Sequence, residues 1–159
     1  MSANSAAQNQ IKQMLTMQDA MNTRVSDTWQ ENGYEWYRAI WVECAEMLDH
    51  HGWKWWKHQE IDIAQVQLEL VDIFHFGLSL RLMTGETVTS ITDTLATELT
   101  ESSGEKDFKI ALENLASAAV TNKSFDAIAL ADCMRLMNMD LDELCWQKHL
   151  EFFPSRPRL

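Results

Sequence analysis

The sequence predicts an all-α protein that folds as one helical bundle, and three observations support this prediction. Of 159 residues, 46% are hydrophobic and 23% are charged, which is ordinary for a globular domain. Only 5 Gly and 2 Pro are present, whereas a multi-stranded sheet needs many turns that these residues supply. Apolar residues recur at helical spacing along most of the chain. The length predicts a single domain, residues 1–159, with a short irregular tail over 154–159.

The periodicity predicts seven helices. The third is apolar nearly all round, which predicts a place at the centre of a bundle or at a subunit interface. Gly52 is predicted to end the second helix, while Ser124 and Asp140 are predicted to cap the last two. The predicted helices cover residues 5–24, 34–50, 62–83, 89–100, 106–120, 124–138 and 140–153.

Charge and cysteine content restrict the partners and the compartment. Lys and Arg number 13 and Asp and Glu number 24, giving a net charge of −11, so we expect no binding to polymeric nucleic acid or anionic membranes. The sequence contains no recognisable signal peptide and no apolar run of about eighteen residues, which predicts a cytoplasmic protein without a membrane span. Cys44, Cys133 and Cys145 lie in apolar patterns without CxxC spacing and are predicted to be reduced core residues.

Two pairs of carboxylates occur at helical spacing on the second and third predicted helices. Glu43 and Glu46 are three residues apart, as are Glu69 and Asp72, so each pair shares one helix face. The second pair interrupts an apolar run, where unpaired carboxylates cost several kcal/mol each to bury. Convergence of four acids favours a site for Mg²⁺ or Mn²⁺, which prefer oxygen ligands and support phosphoanhydride hydrolysis.

A structural interpretation of the same acids is also open. ExxE patterns are common on solvated helix faces, and Arg38, Arg81 or Lys54 are available to pair with the acids in a buried network. His50 and His51 are adjacent on a predicted helix, and adjacent helical residues point apart. The sequence therefore predicts no metal site at these two histidines.

Other candidate residues carry aromatic rings, amides and amines. Three of the seven tryptophans lie in the stretch Trp53-Lys-Trp-Trp-Lys57, where aromatic faces suit a nucleobase and lysines suit phosphates. Alternatively, these tryptophans anchor a helix–helix corner. Gln18 and Asn22, at i and i+4, present amides that suit a pyrimidine edge, or they are surface polar residues. His75 is either a ligand contact or a packed core histidine.

Five segments in order resemble the dimeric all-α dUTPases, which belong with MazG-type enzymes to the all-α nucleotide pyrophosphohydrolases. The similarity covers residues 15–82, and the Gln/Asn pair, the ENGY loop and the WKxWK stretch distinguish the dUTPase branch. The segments are Gln18-Asp-Ala-Met-Asn22, Trp29-Gln-Glu-Asn-Gly-Tyr34, Glu43-Cys-Ala-Glu46, Trp53-Lys-Trp-Trp-Lys57 and Glu69-Leu-Val-Asp72-Ile-Phe-His75-Phe76.

The resemblance implies an α-helical homodimer that hydrolyses dUTP, and with it dUDP, to dUMP with Mg²⁺ or Mn²⁺. One of Glu43 and Glu46 would also orient the attacking water as a catalytic residue. The metal ligands implied are Glu43, Glu46, Glu69 and Asp72. The substrate contacts implied are Gln18 and Asn22 for uracil, Trp53 and Trp56 for base and sugar, Lys54 and Lys57 for phosphates, and His75 for deoxyribose or base.

The C-terminal part departs from this family. Members usually carry a Lys-Asn-x-Leu-Asn-x-Phe-Arg segment after the last core helix, and no such segment occurs here; Lys148, Arg156 or Arg158 are candidates to supply its phosphate contacts. The departure leaves two other functions open. One is a house-cleaning or pyrimidine dNTP pyrophosphohydrolase with a different base preference, and the other is a non-catalytic nucleotide-binding helical protein.

Overall fold

A computed structural model describes residues 3–145, and this part of the chain is helical, as predicted. It contains seven α-helices, one 3₁₀ turn and no strand within the described residues. The prediction of an all-α bundle is therefore confirmed. The elements are α1 (Ala3–Val25), the 3₁₀ turn (Trp29–Glu31), α2 (Trp36–His51), α3 (Ile63–Met83), α4 (Val88–Glu98), α5 (Phe108–Asn122), α6 (Ala127–Leu136) and α7 (Leu141–Leu144).

Helix α3 lies at the centre of the bundle, packed against α1, α2 and α6. It starts at the cap Asp62, whose carboxylate accepts a hydrogen bond from Gln65 N at 3.2 Å. Of the described helices, α3 is the one long and apolar enough to cross a membrane, yet 67% of its most apolar window is buried inside the protein. Such burial is typical of the core helix of a soluble domain.

The start of α6 differs from the prediction. Ser124 is not its cap: Asp126 is, and the Asp126 carboxylate accepts a hydrogen bond from Ala129 N at 3.0 Å. Ser124 instead belongs to the end of α5, because Lys123 adopts a left-handed conformation with φ 50° and Ser124 N donates to Ala118 O at 3.2 Å. This 6→1 hydrogen bond is typical of a helix C-terminus, so the new helix begins two residues later than the sequence suggests.

The last predicted helix can be compared with the structure only at its start. Asp140 caps α7 as predicted, and its carboxylate accepts from Glu143 N at 2.8 Å while the Glu143 carboxylate accepts from Asp140 N at 3.2 Å. This reciprocal pair is a capping box. The rest of that helix and the predicted tail lie outside the described residues, as do Lys148, Arg156 and Arg158.

The cysteines carry free thiols in the interior. Cys44 on α2 and Cys133 on α6 are buried, and Cys145 is half-buried. Burial raises the pKa of the Cys44 thiol to about 12, with the nearby Glu43 charge adding to the effect, and burial likewise raises the pKa of Cys145 to about 12. The thiols therefore remain protonated near neutral pH and act as small apolar core groups.

Position 77 in α3 has no room for a side chain, so replacing Gly77 with alanine is expected to destabilise the protein, although alanine normally stabilises a helix. An added Cβ would lie 2.5 Å from two ring carbons of Phe125, which is itself buried. Overpacking should outweigh the gain in helix propensity, so we expect Gly77→Ala to lower the free energy of unfolding by about 1–2 kcal/mol in a urea titration. In a Phe125→Ala background the same change should be neutral or stabilising. An equal loss in both backgrounds would contradict this explanation.

Candidate functional site

Three carboxylates from two helices converge where α2 packs against α3, and we call them the acid group. One oxygen each from Glu43, Glu69 and Asp72 lies within 4.8 Å of the other two. Glu69 and Asp72 are 1% and 2% exposed, and Glu43 is half-buried. With an effective dielectric constant of 20, two unit charges 4.8 Å apart repel by about 3 kcal/mol. Acids held this close need a cation or a shared proton for stability.

Glu46, the fourth predicted ligand, lies outside the acid group. It is half-buried on α2, one turn after Glu43. Helix α2 thus contributes one carboxylate to the group and α3 contributes two. A role for Glu46 at this site stays a prediction.

Two cations that the sequence offers as partners for these acids form other ion pairs. Arg38 pairs with Glu35, the residue that precedes α2. Arg81 binds both carboxylate oxygens of Glu98, at 3.0 and 3.3 Å, and donates to Phe125 O at 2.7 Å. Both arginines are therefore engaged with carboxylates outside the acid group.

His50 lies beside the acid group, and this position was not predicted from the sequence. Its Nε2 atom is 3.9 Å from Glu69 Oε1, and its side chain is 39% exposed. His51 points elsewhere and stacks on the Phe108 ring, with centroids 4.5 Å apart. The missed signal is the spacing of seven residues between Glu43 and His50, which is about two helical turns and places both on one face of α2.

A buried chain of hydrogen bonds joins α1 to α3, and we call it the amide ladder. His75 Nδ1 donates to Gln18 Oε1 at 2.9 Å, Gln18 Nε2 donates to Asn22 Oδ1 at 3.0 Å, and Asn22 Nδ2 donates to Ser79 Oγ at 3.0 Å. Gln18 and Asn22 are 2% and 9% exposed, so the alternative that they are surface residues is wrong. The structure thus brings His75 together with both predicted amides. Ser79 was not predicted, because a lone serine in an apolar helix carries no signal.

The turn that follows α1 contains the ENGY segment and is held by side-chain hydrogen bonds. Asn32 Nδ2 donates to Ser26 Oγ and to Tyr34 Oη, both at 3.0 Å. The buried Trp29 donates its indole N–H to Asp19 Oδ1 at 3.1 Å. The Trp29 bond ties this turn to α1 at the residue next to Gln18.

The aromatic-basic stretch lies in a loop, residues 52–61, which we call the tryptophan loop. Gly52 ends α2 as predicted, with a positive φ of 92°, and Asp62 N donates to His50 O at 3.0 Å, so the two ends of the loop meet. Gln59 Oε1 accepts two successive backbone N–H groups of the stretch, at 2.9 and 2.6 Å. The loop is therefore held by its own hydrogen bonds, and its base lies next to the histidine that reaches Glu69.

The three tryptophans of this loop pack on one another and remain exposed to solvent. Their ring centroids are 4.7, 5.5 and 6.5 Å apart, in edge-to-face arrangements. Trp53, Trp55 and Trp56 are 37%, 85% and 57% exposed. Lys57 is exposed and Lys54 is half-buried. Such exposure is not expected of residues that anchor a helix corner, and it leaves aromatic faces and amines available to a ligand.

Stability measurements can separate these exposed tryptophans from core tryptophans. Because Trp55 is 85% exposed, we expect Trp55→Ala to change the free energy of unfolding by less than about 0.5 kcal/mol. Trp29 is 2% exposed, and Trp29→Ala should cost about 3–5 kcal/mol. Urea unfolding of both variants tests this. If Trp55→Ala lowered the free energy of unfolding by several kcal/mol, the loop would have a role in core packing instead.

Comparison with known proteins agrees with this geometry. A family model described as dUTPase matches residues 10–149, a range that contains the acid group, the amide ladder and the tryptophan loop. A search of curated proteins gives no match. Because the family match covers most of the chain and the described residues form helices and no strand, the protein belongs to the all-α dUTPase family and is a nucleotide pyrophosphohydrolase that acts on dUTP.

Proposed function

We propose that this dUTPase hydrolyses dUTP to dUMP and pyrophosphate with Mg²⁺ held by the acid group. The observation that carries the proposal is the meeting of three carboxylate oxygens within 4.8 Å, two of them on almost fully buried residues. A donor set made only of carboxylate oxygens fits Mg²⁺, with Mn²⁺ as the nearest substitute. dUDP contains the same α–β phosphoanhydride and is expected to be a second substrate.

Residues of α2 and α3 would have different roles in the reaction. A bound cation would supply positive charge against the charge that develops on the phosphate oxygens. Glu69 and Asp72, both buried on α3, would hold the cation. Glu43 or Glu46, both half-buried on α2, is the proposed catalytic residue and would orient the attacking water.

The nucleotide is proposed to lie along helix α3. Asp72 of the acid group and His75 of the amide ladder are three residues apart, which is a rise of about 4.5 Å. We propose that the phosphates lie at the acid group, that His75 contacts the deoxyribose or base, and that Gln18 and Asn22 contact uracil. Since the two amides are almost fully buried, the base would have to enter the interior of the bundle to contact them.

The tryptophan loop is proposed to contact the nucleotide as well. Its base lies beside His50, which reaches the acid group, so its lysines Lys54 and Lys57 are proposed to contact the phosphates. The exposed faces of Trp53 and Trp56 are proposed to line the base and sugar pocket.

We further propose that the protein acts as a cytoplasmic homodimer. Exposed apolar residues lie close to the site in sequence, namely Val42 beside Glu43, and Ile61 and Ile63 at the start of α3. Buried free thiols suit a reducing compartment. The net charge of −11 argues against membranes and polymeric nucleic acid as partners. Light scattering coupled to size exclusion measures the oligomeric state directly.

Turnover of deoxynucleoside triphosphates tests the function. We expect pyrophosphate release from dUTP with Mg²⁺ and none with excess chelator. Asp72→Asn should lower kcat by about 10²–10³. Asp132→Asn provides a matched control, because Asp132 is also buried but lies on α6 in an ion pair with Arg135. The control should keep kcat within a few fold, measured well below its unfolding temperature. No turnover of any dNTP by the parent protein at high concentration would overturn the function.

Thermal unfolding tests the cation site without reference to activity. Repulsion within the acid group destabilises the metal-free protein, so Asp72→Asn should raise Tm in chelator. Saturating Mg²⁺, at about 100 times Kd, should stabilise the parent protein by about 2.7 kcal/mol and raise its Tm by several degrees. Asp72→Asn should lose this increase. An equal Mg²⁺ effect on both proteins would contradict the assignment of this ligand.

A further inference from the structure

We propose that His50 is a positioning residue for the cation, which orients the Glu69 carboxylate by donating a hydrogen bond to it. The inference rests on the proposed function, because it assumes that the acid group binds Mg²⁺. His50 Nε2 lies 3.9 Å from Glu69 Oε1, while the acid group itself contains no histidine among the described residues. His50 would thus act through Glu69 and would not be a metal ligand.

Backbone contacts fix the helical turn that carries His50. Asp62 N donates to His50 O at 3.0 Å, and the Asp62 side chain caps α3, the helix that carries Glu69. At the end of α2, Gly52 N donates to Leu48 O, also at 3.0 Å. The backbone of His50 is therefore bonded directly to the start of the helix whose carboxylate it approaches.

The neighbouring histidine shows which way this turn of α2 faces. The His51 ring stacks on Phe108 of α5, with centroids 4.5 Å apart and ring planes 22° apart. Successive residues of a helix are about 100° apart around its axis, so His50 is directed away from α5. Glu43 lies two turns earlier on the same face as His50 and belongs to the acid group. This face of α2 therefore brings a carboxylate and an imidazole to Glu69.

The Glu69 carboxylate can serve a cation and His50 at the same time. A carboxylate has two oxygens and about four lone-pair sites. When it binds Mg²⁺ it carries no proton, so a ring nitrogen that faces it favourably must be an N–H donor. Because Glu69 is 1% exposed, water has little access to its oxygens. A hydrogen bond from the protein is the kind of contact that holds a metal-binding carboxylate in one orientation.

The ring needs only a small movement to make this hydrogen bond. An N–H···O hydrogen bond is about 2.9 Å long, so Nε2 must approach Oε1 by about 1 Å from its distance of 3.9 Å. The His50 side chain is 39% exposed, so it can rotate by this amount without disturbing the buried core. The position of His50 at the edge of the acid group thus suits a contact that forms when the cation binds.

Mg²⁺ titrations of the full-length protein without nucleotide, followed by thermal unfolding, test this role. We expect His50→Ala to raise the Kd for Mg²⁺ about tenfold, because hydrogen-bond partners of metal ligands affect metal affinity to this extent. His50→Gln keeps an N–H donor and should stay within about threefold of the parent Kd. If His50→Ala does not fold, His50→Leu serves instead, since it has bulk but no donor.

The loop offers a matched control. His58 Nε2 lies 3.8 Å from Glu60 Oε1, nearly the distance between His50 and Glu69, but both side chains of this pair are exposed, at 85% and 89%. His58→Ala should therefore keep the parent Kd for Mg²⁺. An equal loss of Mg²⁺ affinity in His58→Ala or in His50→Gln, or an unchanged Kd in folded His50→Ala, would each overturn the role of His50.

Turnover of dUTP separates a positioning role from a direct contact with the substrate. In His50→Ala, the Mg²⁺ concentration for half-maximal activity should rise about tenfold. At saturating Mg²⁺, kcat and the KM for dUTP should stay within a few fold of the parent values. A higher KM for dUTP with an unchanged Kd for Mg²⁺ would assign His50 to the substrate and overturn the inference.

Failure of this inference is distinguishable from failure of the proposed function. If the parent protein binds Mg²⁺ and hydrolyses dUTP while the His50 variants keep its Kd for Mg²⁺, only the role of His50 fails. If the parent protein binds no Mg²⁺ and turns over no dNTP, the proposed function fails, and the inference fails with it.

Discussion

The acid group is the constraint around which the bundle is arranged. Glu43, Glu69 and Asp72 can meet within 4.8 Å only if α2 and α3 pack closely, and they can be buried only if other helices cover α3. Helices α1 and α6 provide that cover. Apolar packing then stabilises an interior in which carboxylates lie close together, an arrangement that is unfavourable unless a cation or a shared proton offsets their repulsion. Folding and function conflict at this point, as is common where residues are retained for chemistry.

Helix α3 resolves the conflict by carrying its buried polar residues in one stripe. Glu69, Asp72, His75 and Ser79 follow one another at intervals of three, three and four residues, which is the spacing of a single helix face. Helix α2 covers the first part of the stripe with Glu43, and α1 covers the last part with the amide ladder. The remaining faces of α3 are free to be apolar. The same helix can therefore form the core of the bundle and carry both ends of the proposed nucleotide site.

Periodicity made the fold class, the central place of α3 and the two carboxylate pairs predictable, because each depends on spacing within one helix; that Glu43 and not Glu46 joins Glu69 and Asp72 depends on how α2 faces α3. Features that depend on two elements were not predictable in the same way. Ser124 and Asp126 are both good caps, and the left-handed Lys123 that decides between them belongs to the preceding helix. Ser79 becomes meaningful only when the register of α1 against α3 is known. His50 could have been found, since its spacing from Glu43 is visible in the sequence.

The charge of the protein adds a further requirement. A protein with a net charge of −11 repels a polyphosphate at long range. Under the proposed function, the substrate therefore needs a local region of positive charge. The tryptophan loop provides two lysines, and the acid group with a bound cation is less negative than without one. These two features are adjacent, because the loop closes on His50 beside Glu69. Exposed indoles in the same loop offer stacking surfaces beside these positive groups, so under the proposed function this end of α3 is where the nucleotide is expected to enter.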